Sequence, residues 1–191
     1  MKRLLFILLL AMVGFVDKAD AQQVALKTNA LYWATTTPNL GLEVGLGERT
    51  TLDFLAGYNP FTLNKEQNKK IKHWGIMPEF RYWFCESFQG HFVGVHTGYM
   101  FYNVSGVQIP FQSEQTAQNR YQGWMTGLGV AYGHTWILGE RFNIEASLGL
   151  GYGYTDFDVY ECKTCGKYKG PGSKHYFGPT KLAVNLIYMI K

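Results

Sequence analysis

Residues 121–139 read YQGWMTGLGVAYGHTWILG, nineteen positions without a charged side chain. Length alone permits a membrane helix, and the Gly123/Gly127 and Gly129/Gly133 pairs mimic the small-xxx-small pattern of packed membrane helices. Against a helix stand five glycines, each costing about 1 kcal/mol relative to alanine, and a period of two. The even positions are Trp124, Thr126, Leu128, Val130, Tyr132, His134, Trp136 and Leu138; the odd ones are Met125, Gly127, Gly129, Ala131, Gly133, Thr135 and Ile137. One face is bulky and the other nearly bare, so the segment reads as a strand.

The same alternation recurs on both sides of it. Residues 142–154 set Phe142, Ile144, Leu148, Leu150 and Tyr152 against Asn143, Glu145, Ser147, Gly149 and Gly151. Residues 74–84, 93–101 and 182–190 behave alike, and so do shorter runs near 24–34, 40–46 and 51–58. That makes eight strands. Leu46-Gly47-Glu48-Arg49 and Leu138-Gly139-Glu140-Arg141 read as short hairpin turns. Longer connections at 59–72, 103–120 and 159–175 alternate with them, which describes an up-and-down meander. With 22 glycines, 13 tyrosines, 13 phenylalanines and 5 tryptophans in 191 residues, the composition excludes a helical bundle or a disordered chain.

A soluble barrel would turn the bulky set inward and solvate the other face. A solvated face favours Lys, Thr, Glu and Gln, whereas this one is glycine and alanine with a few charges of both signs. Glycine weakens a strand unless something needs the room, and a barrel of eight strands needs small interior residues whose charges pair. Lys27, Arg81 and Lys181 against Glu43, Asp53, Glu79 and Glu145 are close to balance and form the expected interior charge network. The bulky set then faces lipid. Trp124 to Trp136 spans twelve residues, about 30 Å at roughly 3.3 Å per residue with a tilt near 40°, against about 25 Å for an outer-membrane apolar band. Tyr32, Tyr58, Trp74, Phe101, Trp124 and Tyr154 form the expected loop-side girdle, and Phe84, Trp136, Phe142 and Tyr188 the turn-side one. The reading is an all-β chain, an eight-stranded antiparallel up-and-down transmembrane β-barrel.

Residues 1–21 carry Lys2 and Arg3, an apolar run from Leu4 to Val16 and the small-x-small site Ala19-Asp20-Ala21, which reads as a cleaved secretory signal. Residues 22–191 are then the barrel domain. They hold 15 basic and 12 acidic side chains, which is no nucleic-acid footprint.

Lys27-Thr28-Asn29-Ala30-Leu31-Tyr32, Thr37-Pro38-Asn39-Leu40-Gly41-Leu42-Glu43-Val44, Arg81-Tyr82-Trp83-Phe84 and Phe177-Gly178-Pro179-Thr180-Lys181 resemble a family of uncharacterised small outer-membrane barrels from Bacteroidota. The resemblance covers the whole mature chain. It implies an eight-stranded barrel of the OmpA-like superfamily, a Gram-negative outer-membrane location with periplasmic termini, and the barrel-assembly machinery as a partner. It implies no activity.

Chemistry is sparse. Cys162 and Cys165 form a CxxC pair, half of a zinc site with at most His175 to add. A local disulfide or two free thiols in a surface loop is the better reading, with Cys85 at the opposite rim beyond bridging reach. No metal or other cofactor is expected. Ser105, Ser113 and Ser173 with His73 and His175 are the residues a lipid A-modifying enzyme could use, but none shares a strand with a histidine at an aligning spacing. The three long connections hold nine basic against three acidic residues. Within them Lys69, Lys70, Lys163, Lys167 and Lys169 form a candidate cationic patch toward outer-membrane lipid and lipopolysaccharide. The expected function is a structural or surface-interaction role in the envelope, with a surface protein partner open and no enzyme. The alternatives are a small solute pore or, further off, an enzyme acting on lipid A.

Overall fold

The computed structural model describes residues 23–64, 69–106, 119–161 and 166–190. Its strands are β1 (Val24–Asn29), β2 (Asn39–Gly47), β3 (Thr50–Asn59), β4 (Thr62–Asn64), β5 (Lys69–Trp83), β6 (Gly90–Ser105), β7 (Arg120–Ile137), β8 (Phe142–Glu161) and β9 (Lys167–Met189), with one short helix, α1 (Ala30–Ala34). Eight of them run up and down, each antiparallel to the next, in a single sheet that closes on itself. β1 pairs with both β2 and β9, and β3 pairs with β5. Closure leaves none of the eight with an open edge. β4 is a three-residue addition beside Lys69 and Lys70 of β5. The expected all-β meander of eight strands is what the chain forms.

Tight turns gather at one end of the ring. Gly47 opposes Thr50 across Glu48-Arg49, and the Leu138 N–H donates to the Phe142 carbonyl at 2.9 Å. Both described ends of the chain lie here too: Ala25 opposes Met189, and the Ile190 N–H donates to the Val24 carbonyl at 2.8 Å. This is the turn end; the opposite one is the loop end.

Two boundaries depart from expectation. The 24–34 run is not one strand: it breaks at Asn29, whose side chain accepts the Leu31 N–H at 3.0 Å and caps α1. Asparagine caps helices better than it continues strands, and Asn39 locks this one by accepting the Asn29 N–H at 2.6 Å and donating to its carbonyl at 3.1 Å. Tyr32 therefore leaves the outer girdle, and its ring lies beside Gly57. The loop-end connections are also shorter than expected. The β8–β9 ladder continues to Glu161 opposite Lys167, and β6–β7 to Ser105 opposite Arg120. Polar residues along these stretches hide the alternation, yet a paired ladder satisfies their backbone groups as well as any other.

The bulky face points out. Val130, Tyr132, Trp136, Phe80, Tyr82, Leu148 and Leu150 are all exposed, and the inward Arg81, Ala131 and Ser147 beside them are buried. The protein's core is consequently the lumen. At the turn end it is filled by apolar side chains: Ala25, Phe88 and Ile187 cluster together, and Trp83 packs on Phe92 and Phe88 with ring centroids 4.7 and 6.1 Å apart. Phe88 reaches this place from the β5–β6 turn with a φ of 66°, a conformation uncommon for a bulky residue and held here by burial.

Candidate functional site

Above the aromatic plug, inward positions of six strands carry the ionisable side chains. Lys27 comes from β1, Glu43 from β2, Asp53 from β3, Glu79 and Arg81 from β5, Glu145 from β8 and Lys181 from β9, and all seven are buried. Register brings them level: Glu43 opposes Asp53, Asp53 opposes Glu79, and Glu145 opposes Asn185.

Arg81 is the hub. Its guanidinium meets Glu79 at 2.9 Å, Glu43 at 3.0 Å, Glu145 at 2.8 Å and Asp53 at 2.7 Å, while its underside lies 4.5 Å from the Phe92 ring. Lys27 bridges Glu43 and Glu145, the latter at 2.8 Å, and Lys181 pairs with Glu79. Neutral donors complete the shell: Thr51 to Glu43, and Asn185 to Glu145 at 2.8 Å. Only a planar five-donor group can meet four carboxylates at once, so arginine is the residue this centre requires.

Glycines make the room. A Cβ at Gly94 would lie 2.6 Å from a Glu79 carboxylate oxygen, and one at Gly149 would lie 2.9 Å from the Lys181 Cβ. Over the network lies His96, 2% exposed, with Nε2 at 2.8 Å from the Thr180 hydroxyl. Gly129 and Gly149 leave space for its ring.

Beyond His96 the lumen changes character. A cavity of about 250 Å³ occupies the loop-end half, lined by Leu55, Met77, Met100 and Met125 with Tyr32 and His73. The sequence reading missed it. Its signal was available: on the inward face, charge stops at Glu79 and Lys181, and methionine and glycine take over.

The other expected site residues separate. Lys69, Lys167 and Lys169 are exposed, and Lys169 sits 3.7 Å from Glu161 and donates to Asn119 at 3.4 Å. Lys163, Cys162 and Cys165 lie outside the described residues. The tighter cationic group is one the patch only partly contained. Lys70 and Lys72 face outward on β5, and register runs from Lys70 through Ser105 to Arg120. Partial burial, then Arg120 and Lys72, hold the Lys70 ammonium below the ordinary lysine range. Arg120 itself stacks at 4.2 Å over the Tyr160 ring. Alternation by itself cannot show which loop-end lysines share a face across three strands.

Ser173 and His175 share β9, two positions apart and so on one face, which corrects the expectation that no such serine shares a strand with a histidine at an aligning spacing. The His175 Nδ1 is engaged by the Tyr152 hydroxyl instead, and no serine–histidine hydrogen bond occurs among the described residues. His73 gives its Nδ1–H to the Ile71 carbonyl at 3.0 Å. Cys85 is an exposed free thiol in the β5–β6 turn. Among the described residues no group of three or more His, Cys, Asp or Glu side chains is arranged to hold a metal, and no helix is long and apolar enough to cross a membrane, which says nothing about strands.

No curated protein and no solved structure matches the chain. A family model does, over residues 4–190, nearly the full length. The chain therefore belongs to the family described as Protein of unknown function (DUF3575).

Proposed function

We propose that the protein is an eight-stranded β-barrel of the Gram-negative outer membrane, with a structural or surface-interaction role in the envelope and no conducting pathway. One observation carries this reading: the ring exposes its bulky apolar side chains all round while seven acidic and basic ones are buried inside it. Water as the outer solvent would reverse that arrangement, since monomeric soluble proteins rarely expose apolar patches beyond a few hundred Å². The turn end, with short hairpins and both described chain ends, corresponds to the periplasmic side of such barrels. The aromatic plug and the Arg81 centre together support a closed lumen, because eight strands leave an interior that side chains just fill.

Lys72 and Lys70 stand two and four residues beyond Trp74 of the loop-side girdle, roughly 7 to 13 Å along the strand. That is the height of lipid phosphates, so outer-leaflet lipopolysaccharide is the partner these cations fit. The test is reconstitution of the chain in lipid vesicles and planar bilayers. The expected results are heat-modifiable gel mobility without conductance steps; a discrete open level would replace this reading by the solute pore. Replacing Lys70, Lys72 and Arg120 by glutamine lowers lipopolysaccharide affinity about a hundredfold at low salt, at about 1 kcal/mol per cation. Unchanged affinity removes the lipid contact from the proposal.

A further inference from the structure

The loop-end cavity is a site in its own right. Glycines lower in the lumen are accounted for by protein atoms, but Gly98 and Gly153 are not. A Cβ at Gly98 would find nothing closer than the Ile76 carbonyl at 3.9 Å, and one at Gly153 nothing closer than 3.6 Å. Glycine weakens a strand unless its missing side chain leaves needed room; here a Cβ would reach no more than ordinary contact distance, and both glycines border the cavity instead of a neighbouring side chain among the described residues.

The lining decides what can. Among the described residues no Asp, Glu, Lys or Arg borders the cavity, so a charged ligand would lose its hydration without a partner. The side chains that do border it are mainly tyrosine and methionine, with His73, His96 and two threonines among them, and methionine adapts to irregular apolar shapes. Apolar cavities of about 150 Å³ stay dry and bind benzene; this one is about 250 Å³. One polar handle is fixed. With its Nδ1 proton committed to the Ile71 carbonyl, the neutral His73 ring offers Nε2 as an acceptor on the wall. The floor, His96, is closed, whereas His73, Met100 and Met125 are only partly buried, so entry is from the loop end.

We propose that this half of the lumen binds an uncharged, mainly apolar small molecule, aliphatic or monocyclic, that donates one hydroxyl to His73. The site belongs to the ring and not to its surroundings, so it stands whether or not the membrane reading does.

The probe is 1-hexanol, added to the full-length protein carrying ¹³C-methyl methionine in lipid nanodiscs, or in buffer should the protein prove soluble. Saturable shifts are expected at the methyls of Met77, Met100 and Met125, with Met189 at the turn end unmoved. Hexanoate at the same concentration binds at least tenfold more weakly. Gly98→Leu, which fills the room, abolishes the shifts while gel mobility and the Met189 signal persist; Gly153→Leu serves the same purpose should the first variant fail to fold. Shifts that do not saturate, that reach Met189 equally, that hexanoate reproduces, or that survive a folded filling variant would overturn the proposal.

Discussion

Between Trp83 and His96 every inward position on β5 and β6 is matched by something opposite: Arg81 by four carboxylates, Gly94 by Glu79, Phe92 by Trp83. From Met77 and Gly98 toward the loop end, the same two strands with the same alternation border a space about 250 Å³ in volume. The two halves share one strand pair in one register on either side of Met77-Pro78, and they differ in the side chains turned inward. A closed sheet of this size is thus not solid by construction. It is made solid at the turn end by a centre whose parts need one another, and left open at the loop end by residues that do not.

That difference is broken most severely at its hub. Arg81→Met leaves four buried carboxylates facing two lysines, and removing one partner of a buried pair costs about 3–5 kcal/mol. The expected result is a large drop in urea midpoint, or no heat-modifiable band at all. Loss of less than about 1 kcal/mol would mean that water reaches the centre and that the turn-end half is not dry.

Glycine substitutions sharpen the contrast because Gly94 and Gly98, on one strand, are expected to respond with opposite sign. Gly94→Ala places a methyl 2.6 Å from a Glu79 oxygen, an overpacking that costs about 1–3 kcal/mol. At the boundary, His96→Ala deletes the contact with Thr180 and costs about 1 kcal/mol. Gly98→Ala meets nothing within 3.9 Å and stabilises by about 0.4–1 kcal/mol through the unfolded chain. Urea unfolding of the three variants in one vesicle preparation reads all three values; equal losses at Gly94 and Gly98 would erase the distinction between the halves.

Much of this is legible in the sequence. Period-two alternation in 121–139 and its repeats defines eight strands and two faces, because side chains on a strand must alternate. The turns at Glu48-Arg49 and Glu140-Arg141 follow from residues adjacent in the chain. What stayed hidden depends on pairing between distant segments. That Arg81, rather than Lys27 or Lys181, sits among all four carboxylates is set by register across several strands, and single-strand patterns carry no register. The break at Asn29 was masked because Ala30-Leu31-Tyr32 suits a strand as readily as a helix, and only the Asn29–Asn39 hydrogen bonds decide. Lys72 and Arg120 join Lys70 by the same cross-strand logic.

The central claim is the orientation of the two faces, and the tryptophans report it directly. Trp74, Trp124 and Trp136 belong to the outward sets, with Trp74 and Trp136 exposed, whereas Trp83 is fully buried in the lumen. The measurement is fluorescence of single-tryptophan variants in vesicles of bromine-labelled lipid, where contact with the acyl chains quenches emission. The account predicts strong quenching at positions 74, 124 and 136 and none at 83. Quenching at Trp83, or emission from the three outer residues that ignores the bromine label, would contradict it.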